Sequence, residues 1–477
     1  MIPTKTKIIV IFILLLLFCI QAVGAITCPL FLEEDYGITG NGLDEGAKLK
    51  AAFTDATNNP PCKIIFPKNK IIVFNNTLSL GPNIEIFGNG STLKLQDGWD
   101  NAGFALSLGD HDYIHDLKLD GNIDNVPSHP NEIFLNDWVR FENNELFNVS
   151  AYTVTSYNSD NWIFKNNYIH DGNQYAIAMQ GHYPFDTSNN VTVQNNTLEN
   201  FKEIGVKIRG CTNSTVSNNT IILLDGAGVS AIGIAYTDGI SHNVIVSNNT
   251  IFGDLTNSTP TGTTTGIYSD FHEHTGMIIT NNIINSTYRG IFLVRGDALV
   301  FKNSISNSRY SGLESVGNGS KFYGNTLTNA GIIVGQTRGS NNNIFRYNSI
   351  TSGNNYWRAD GDGAFLWYNG TGNIFDFNYF YVDDYGFNIN DDFGIIYNTS
   401  ITNNTIIAGN SCYLDKGVST IFINNTCNGV TELSMQSGQF MRGIPSGDSV
   451  PSILSLSSDA ITFYDISVYV VKTFIFA

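Results

Sequence analysis

Apolar positions along the chain recur in short alternating runs rather than at helical spacing, and paired Asn residues punctuate the runs. The unit is an apolar residue, a polar one, Asn, Asn, a small residue and an apolar one, as in Phe164-Lys-Asn-Asn-Tyr-Ile169, Val193-Gln-Asn-Asn-Thr-Leu198 and Val216-Ser-Asn-Asn-Thr-Ile221. The recurring Asn, or its equivalent, falls at 144, 167, 196, 219, 249, 282, 303, 325, 348, 378, 404 and 425, with a basal step near 22 and occasional insertions. That step is too short for a propeller blade or a helix pair and matches one coil of a parallel β-solenoid. Each coil carries a further strand of the form Gly-apolar-x-apolar: Gly205-Val-Lys-Ile208, Gly233-Ile-Ala-Tyr236, Gly266-Ile-Tyr-Ser269, Gly290-Ile-Phe-Leu293 and Gly312-Leu-Glu-Ser315. Alternation sends one residue into the core and the next outside. Stacking places each recurrent Asn about 4.8 Å above the last, so that side-chain amides bond along the stack, and Asn also tolerates the left-handed backbone of a tight bend.

Composition removes other classes. Asn supplies roughly one residue in eight, Gly numbers 46, and charged residues reach only 14%, against about 25% in an average soluble domain. Long helices and coiled coils want the Ala, Glu, Lys and Leu that are scarce here. A net charge of −17 argues against a nucleic-acid partner. Hydrophobic content of 42% with 12% aromatic suffices for a large core and excludes disorder.

The ends carry their own signals. Lys5 and Lys7, apolar Ile8 to Ile20, and small Val23-Gly24-Ala25 form the pattern of a secretory signal over 1–25, with a membrane anchor as the alternative. The apolar run falls short of the roughly 18 residues a span needs, so the expectation is a secreted or cell-surface protein with no membrane span once the signal is removed. Residues 26–62 read as an N-terminal cap with a short helix, 63–430 as the solenoid, and 431–477 as a C-terminal cap or appended segment. Cys28, Cys62, Cys211, Cys412 and Cys427 follow the signal. Their pairing is open; Cys28 with Cys62 and Cys412 with Cys427 would tie down both ends and leave Cys211. Sequons at Asn148, Asn213, Asn257, Asn285 and Asn369 permit glycosylation.

The Asn-Asn repeat resembles the right-handed parallel β-helix proteins of the pectate-lyase-like superfamily. Asp35-Tyr-Gly-Ile-Thr-Gly-Asn-Gly42 and Ile64-Ile-Phe-Pro67 are similar to the opening of secreted and phage-spike members, where a helix covers the first coil, and Tyr113-Ile-His-Asp-Leu-Lys-Leu-Asp-Gly-Asn122 resembles a strand and turn common in them. The resemblance implies an all-β right-handed parallel β-helix with an N-terminal capping helix. Asp44 is the expected N-cap, and Leu43, Ala47, Ala51 and Phe53 the covering face.

Chemistry on a solenoid uses outward side chains walled by long loops. Insertions concentrate between about 176 and 300, beside the column Ala178 and Gln180, Lys207 and Arg209, Ala235 and Thr237, Tyr268 and Asp270, Phe292 and Val294, and Glu314, with His182, Asp238, His272 and Arg295 at strand ends or in adjoining loops. Lys207, Arg209, Asp238 and Asp270 are the candidate catalytic set. Gln180, His182, Tyr268, His272, Arg295 and Glu314 are candidate substrate contacts. In a lyase-like reading Lys207 or Arg209 is the base or carboxylate clamp, Tyr268 stacks on a sugar, and Asp238 with Asp270 could hold Ca²⁺, the one cofactor this reading admits. Tyr236-Thr-Asp-Gly-Ile240 is similar to an element of polygalacturonase-type hydrolases, yet no Asp-Asp pair follows on the next coil and no Gly-His-Gly occurs. Asp270-Phe-His272-Glu-His274 would share a face if extended, as a metal site requires, but it is read as a loop whose histidines contact solvent or sugar, and no metal ligand is assigned. Two functions fit: a secreted enzyme cleaving or epimerising an acidic polysaccharide, or a non-catalytic adhesin or spike-like solenoid that binds surface glycans or serves as a rigid scaffold.

Overall fold

The computed structural model describes residues 28–100, 103–126, 131–149, 151–181, 188–223, 230–234, 240–253, 264–270, 274–294, 297–335, 340–352, 361–367, 370–389, 396–436, 452–454 and 463–466. The expected signal at 1–25, the sequons at Asn257 and Asn369, and most of 431–477 lie outside them.

The alternating runs form a parallel β-helix. Strands of successive coils pair in parallel into a 35-stranded sheet that wraps two faces and a 14-stranded sheet that forms the third. Register is uniform where the repeat is strongest: Phe141 pairs with Phe164, Phe164 with Val193 and Val193 with Val216. Like side chains therefore stack along the core, as in Phe322 on Phe345 (4.5 Å between ring centres) and Phe345 on Phe375 (4.7 Å). Among the described residues no helix is long and apolar enough to cross a membrane.

The paired Asn residues divide the labour. The second of each pair forms a buried amide ladder from Asn144 to Asn425, each Nδ2 donating to the Oδ1 of the next coil's Asn; Asn219 to Asn249 (2.9 Å) and Asn249 to Asn282 (3.0 Å) are typical. The same Oδ1 accepts the backbone N–H of the Asn below, as from Asn196 to Asn219 at 2.9 Å. The first of each pair holds the left-handed bend, with φ of 57° at Asn166, 55° at Asn218 and 55° at Asn403. That conformation costs other L residues about 1–2 kcal/mol and Asn less.

Two helices precede the coils: α1 (Leu32–Tyr36) and α2 (Gly46–Asn58). Helix α2 starts later than expected. Its N-cap position is Glu45, while Asp44 ends an extended segment and accepts the Gly46 N–H (2.9 Å). Leu43, Ala47 and Ala51 are exposed, and the stripe facing the core is Leu49, Ala52, Phe53 and Ala56. A helix begun at Gly46 brings those four onto one side, so of the expected face only Phe53 is buried. Cys28–Cys62 and Cys412–Cys427 are disulfides, and Cys211 is a buried thiol. Parallel pairing ends where Ile421–Cys427 turns back antiparallel into Val430–Gln436.

The candidate column lies on the 14-stranded sheet, in β1 (Tyr152–Tyr157), β2 (Tyr175–Gln180), β3 (Ile204–Arg209), β4 (Ser230–Ile234), β5 (Thr265–Ser269), β6 (Arg289–Leu293) and β7 (Ser311–Ser315). These strands bend at their second residue. In β3, β5, β6 and β7 that residue is Gly, and a Cβ on Gly290 would meet Gly312 O at 2.4 Å and Ile305 Cγ2 at 2.5 Å. No side chain fits there. The bend sends the residue before the Gly outward as well, which strict alternation does not predict.

Candidate functional site

Register builds the outer face of this sheet. Thr155, Ala178, Lys207, Gly233, Tyr268, Phe292 and Glu314 stand in one column, one per coil from β1 to β7. Tyr157, Gln180 and Arg209 form the next column, which Asp270 continues just after β5. One expectation is corrected here. The partner of Lys207 is Gly233, because β4 starts two residues earlier than its Gly-apolar-x-apolar motif suggests. A shift of two keeps every side chain on its own face, so alternation cannot detect it. Ala235 and Thr237 lie outside the described residues, as do the candidates Asp238, His182, His272 and Arg295.

Lys207 and Arg209 are neighbours on β3. Although Lys207 points away from the core, it is buried. Its Nζ stands 4.5 Å from the centre of the Tyr175 ring and 5.8 Å from that of Tyr152. Burial first, then the adjacent Arg209 cation, push the Lys207 ammonium down to about 8, so that a sizeable neutral fraction exists at mildly alkaline pH. Tyr152 and Tyr175 pack with Ala178 and Ile204 in an apolar patch outside the main core. Gln180, also buried, donates to Thr155 Oγ1 (3.1 Å).

Two coils further on, Tyr268 Oη donates to the buried Asp270 (3.1 Å to Oδ1). Gly233 stands between Lys207 and Tyr268 and carries no side chain, leaving an interval of two strand spacings, about 10 Å. Glu314 is four coils from Lys207 in the same column, about 19 Å along the stack, so it does not join the Lys207 group. It is fully buried against Arg289, whose Nε donates to Glu314 Oε2 (2.7 Å), and Ser311 Oγ donates to the same oxygen (3.0 Å). Burial raises the Glu314 carboxyl and Arg289 opposes the rise. The Arg289 guanidinium lies 4.7 Å from the ring centres of both Phe292 and Tyr310.

Tyr152, Tyr175, Arg289 and Tyr310 were missed by alternation. Their signal was local: Tyr152, Tyr175 and Arg289 each immediately precede the residue at the strand bend, and Tyr310 stands two places before it. His274 is buried in a strand of the larger sheet. Among the described residues no three His, Cys, Asp or Glu side chains gather to hold a metal ion. Asp270 is the one described carboxylate of the expected calcium pair, since Asp238 lies outside the described residues.

Residues 114–267 match the model of the right-handed β-helix region. No curated protein matches the chain in sequence. Among solved structures the chain is similar to the Dettilon tailspike protein, with 14% identity over 77% of this chain and 68% of that one and a TM-score of 0.50. It is also similar to PfbA, a surface adhesin of Streptococcus pneumoniae (13% identity, 92% and 98% covered, TM-score 0.45), and to a hyperthermoactive exopolygalacturonase from Thermotoga maritima (12%, 87% and 95%, 0.39). These are likenesses of fold.

Proposed function

We propose that this right-handed parallel β-helix protein of the pectate-lyase-like superfamily binds an acidic polysaccharide across the outer face of its 14-stranded sheet and removes a proton from it. The observation that carries the reading is Lys207: a buried, outward-facing lysine whose ammonium is pushed down to about 8, beside the Arg209 guanidinium. A uronate carboxylate paired with Arg209 has its charge neutralised, which makes the C–H next to it more acidic. Neutral Lys207 takes that proton. The electron pair then either forms a ring double bond as the glycosidic oxygen leaves, the lyase outcome, or accepts a proton from the other face, the epimerase outcome. Tyr268, two coils on in the same column, supplies an aromatic plate. A hydrolase is less well supported, because the two described carboxylates, Asp270 and Glu314, are two coils apart and Glu314 is bound to Arg289. Two disulfides suit an exported or surface protein.

A non-catalytic glycan-binding reading has its own support. Phe104, Phe134 and Tyr157 form a run of rings outside the sheet (4.8 and 6.1 Å between successive centres), a flat apolar surface on which sugar rings can stack. The test is incubation with polygalacturonate, alginate and other polyuronates. The catalytic reading expects absorbance from a new double bond, or inverted uronate signals by NMR, lost in Lys207→Met and Arg209→Ala. Glycan binding without product in wild type, unchanged in both variants, would leave the adhesin reading.

A further inference from the structure

A second feature lies on the opposite side of the molecule from this face, in the bends that Asn occupies. Most coils place Asn at the left-handed position before the ladder residue, but Tyr347 and Phe377 hold it in two consecutive coils with φ of 57° and 53°. Bulky residues are genuine outliers there. Both rings are exposed, at 60% and 48%, and they stack on each other with centres 5.4 Å apart. The same device occurs at another bend. His111 and Trp138, at φ of 62° and 61° in successive coils, stack at 5.6 Å. Scattered drift does not produce adjacent, near-parallel and exposed ring pairs twice at positions where most other coils use Asn or Gly. Backbone strain of this kind clusters at active and binding sites.

We infer that Tyr347 and Phe377 form a binding platform for a neutral polysaccharide, separate from the proposed groove and independent of it. The platform lies six bends beyond Lys207 along the chain, at Asn218, Asn248, Asn281, Lys302, Gly324 and Tyr347, or about 26 Å along the stack. Two flat rings one coil apart present their electron-rich faces to the C–H groups of successive sugar rings. Exposed Tyr379 and Tyr381 on the following strand add ring surface and hydroxyls for sugar oxygens. The adjacent charges are matched internally. Arg346 Nη2 pairs with Asp376 (2.7 Å), whose other oxygen accepts from Thr402 Oγ1 and Asn403 Nδ2 (both 2.8 Å). A surface of rings and hydroxyls with its charges paired selects an uncharged sugar over an acidic one.

The test uses Tyr347→Asn/Phe377→Asn, which restores the residue found at this bend in neighbouring coils. Native gels cast with soluble xylan or glucomannan should retard the wild-type protein, and the double variant should lose that affinity by about tenfold or more. Its melting temperature should equal or exceed that of wild type, since two strained bends are relieved. Lys207→Met should keep the retardation, and the double variant should keep any activity on short uronate oligomers, so this site and the groove fail separately. Unchanged retardation, none with either polysaccharide, or a lowered melting temperature would overturn the platform. So would conversion of an oligomer to a monomer in sedimentation, which would assign the rings to self-association.

Discussion

Lys207 Nζ sits 4.5 Å from the centre of the Tyr175 ring, one coil back on the same sheet. The contact holds an outward-facing cation in a buried place beside a second cation, Arg209, and so sets its chemistry. As the proton acceptor, Lys207 should make activity rise with pH to a plateau, with a midpoint at about 8. Stability carries the same signature. The folded-state value lies below the ordinary 10.5, so between the two the unfolded chain binds a proton that the folded chain does not, and wild-type stability rises with pH. Lys207→Met should lack both the activity and this rise in melting temperature, read by rate profiles and by thermal unfolding from about pH 7 to 10.

Arg289→Ala should be strongly destabilising. Glu314 is fully buried and its carboxylate depends on Arg289 Nε at 2.7 Å. Removing one partner of a buried pair costs about 3–5 kcal/mol. Without the guanidinium the carboxyl is raised further, so the folded chain retains a proton that the unfolded chain releases. The loss of melting temperature should therefore grow as pH rises from about 5 to 8. A loss independent of pH would mean that the Glu314 carboxyl keeps one protonation state with and without Arg289.

Asn219→Ala removes bonds from Nδ2 to Asn249 Oδ1 (2.9 Å) and Val193 O (3.0 Å), and leaves the Asn196 N–H without its acceptor. Stranding buried donors costs about 1–3 kcal/mol each where no water reaches them. Denaturant unfolding should show a loss of about 2–4 kcal/mol. Asn218→Ala, altering only the left-handed bend, should cost about 1–2 kcal/mol.

Gly290→Ala tests the strand bend. The added Cβ would meet Gly312 O at 2.4 Å and Ile305 Cγ2 at 2.5 Å, and the neighbouring backbone cannot retreat without breaking the pairing of β6 with β7. Overpacking of this kind costs about 1–3 kcal/mol, measurable by thermal unfolding. Wild-type stability in this variant would mean the coils can slide apart there.

The repeat was legible because every coil poses the same problem. A bend needs a residue tolerant of the left-handed region, and a stack of identical amides satisfies itself. Asn answers both, so its spacing marked each coil, and Lys207, Arg209, Tyr268 and Glu314 followed as outward residues from alternation. The α2 face was misread because Leu43 to Ala51 is apolar enough for a helix begun at Asp44, yet the chain stays extended through Asn41–Asp44. The aromatic partners of Lys207 and Arg289 were invisible because the double inward turn at the strand bend breaks the two-residue period there.

By itself, then, the sequence determined the coil, its ladder and, beyond the strand bends, the side of the sheet each residue faces, because these follow from short-range periods of two and about 22 residues. Tertiary structure alone decided which coil lies beside which residue. It set Gly233 rather than a side chain next to Lys207, put Tyr175 under the amine, separated Glu314 from Lys207 by four coils and paired it with Arg289. A shift of two residues changes no side chain's face but moves every lateral neighbour, and proton chemistry depends on those neighbours.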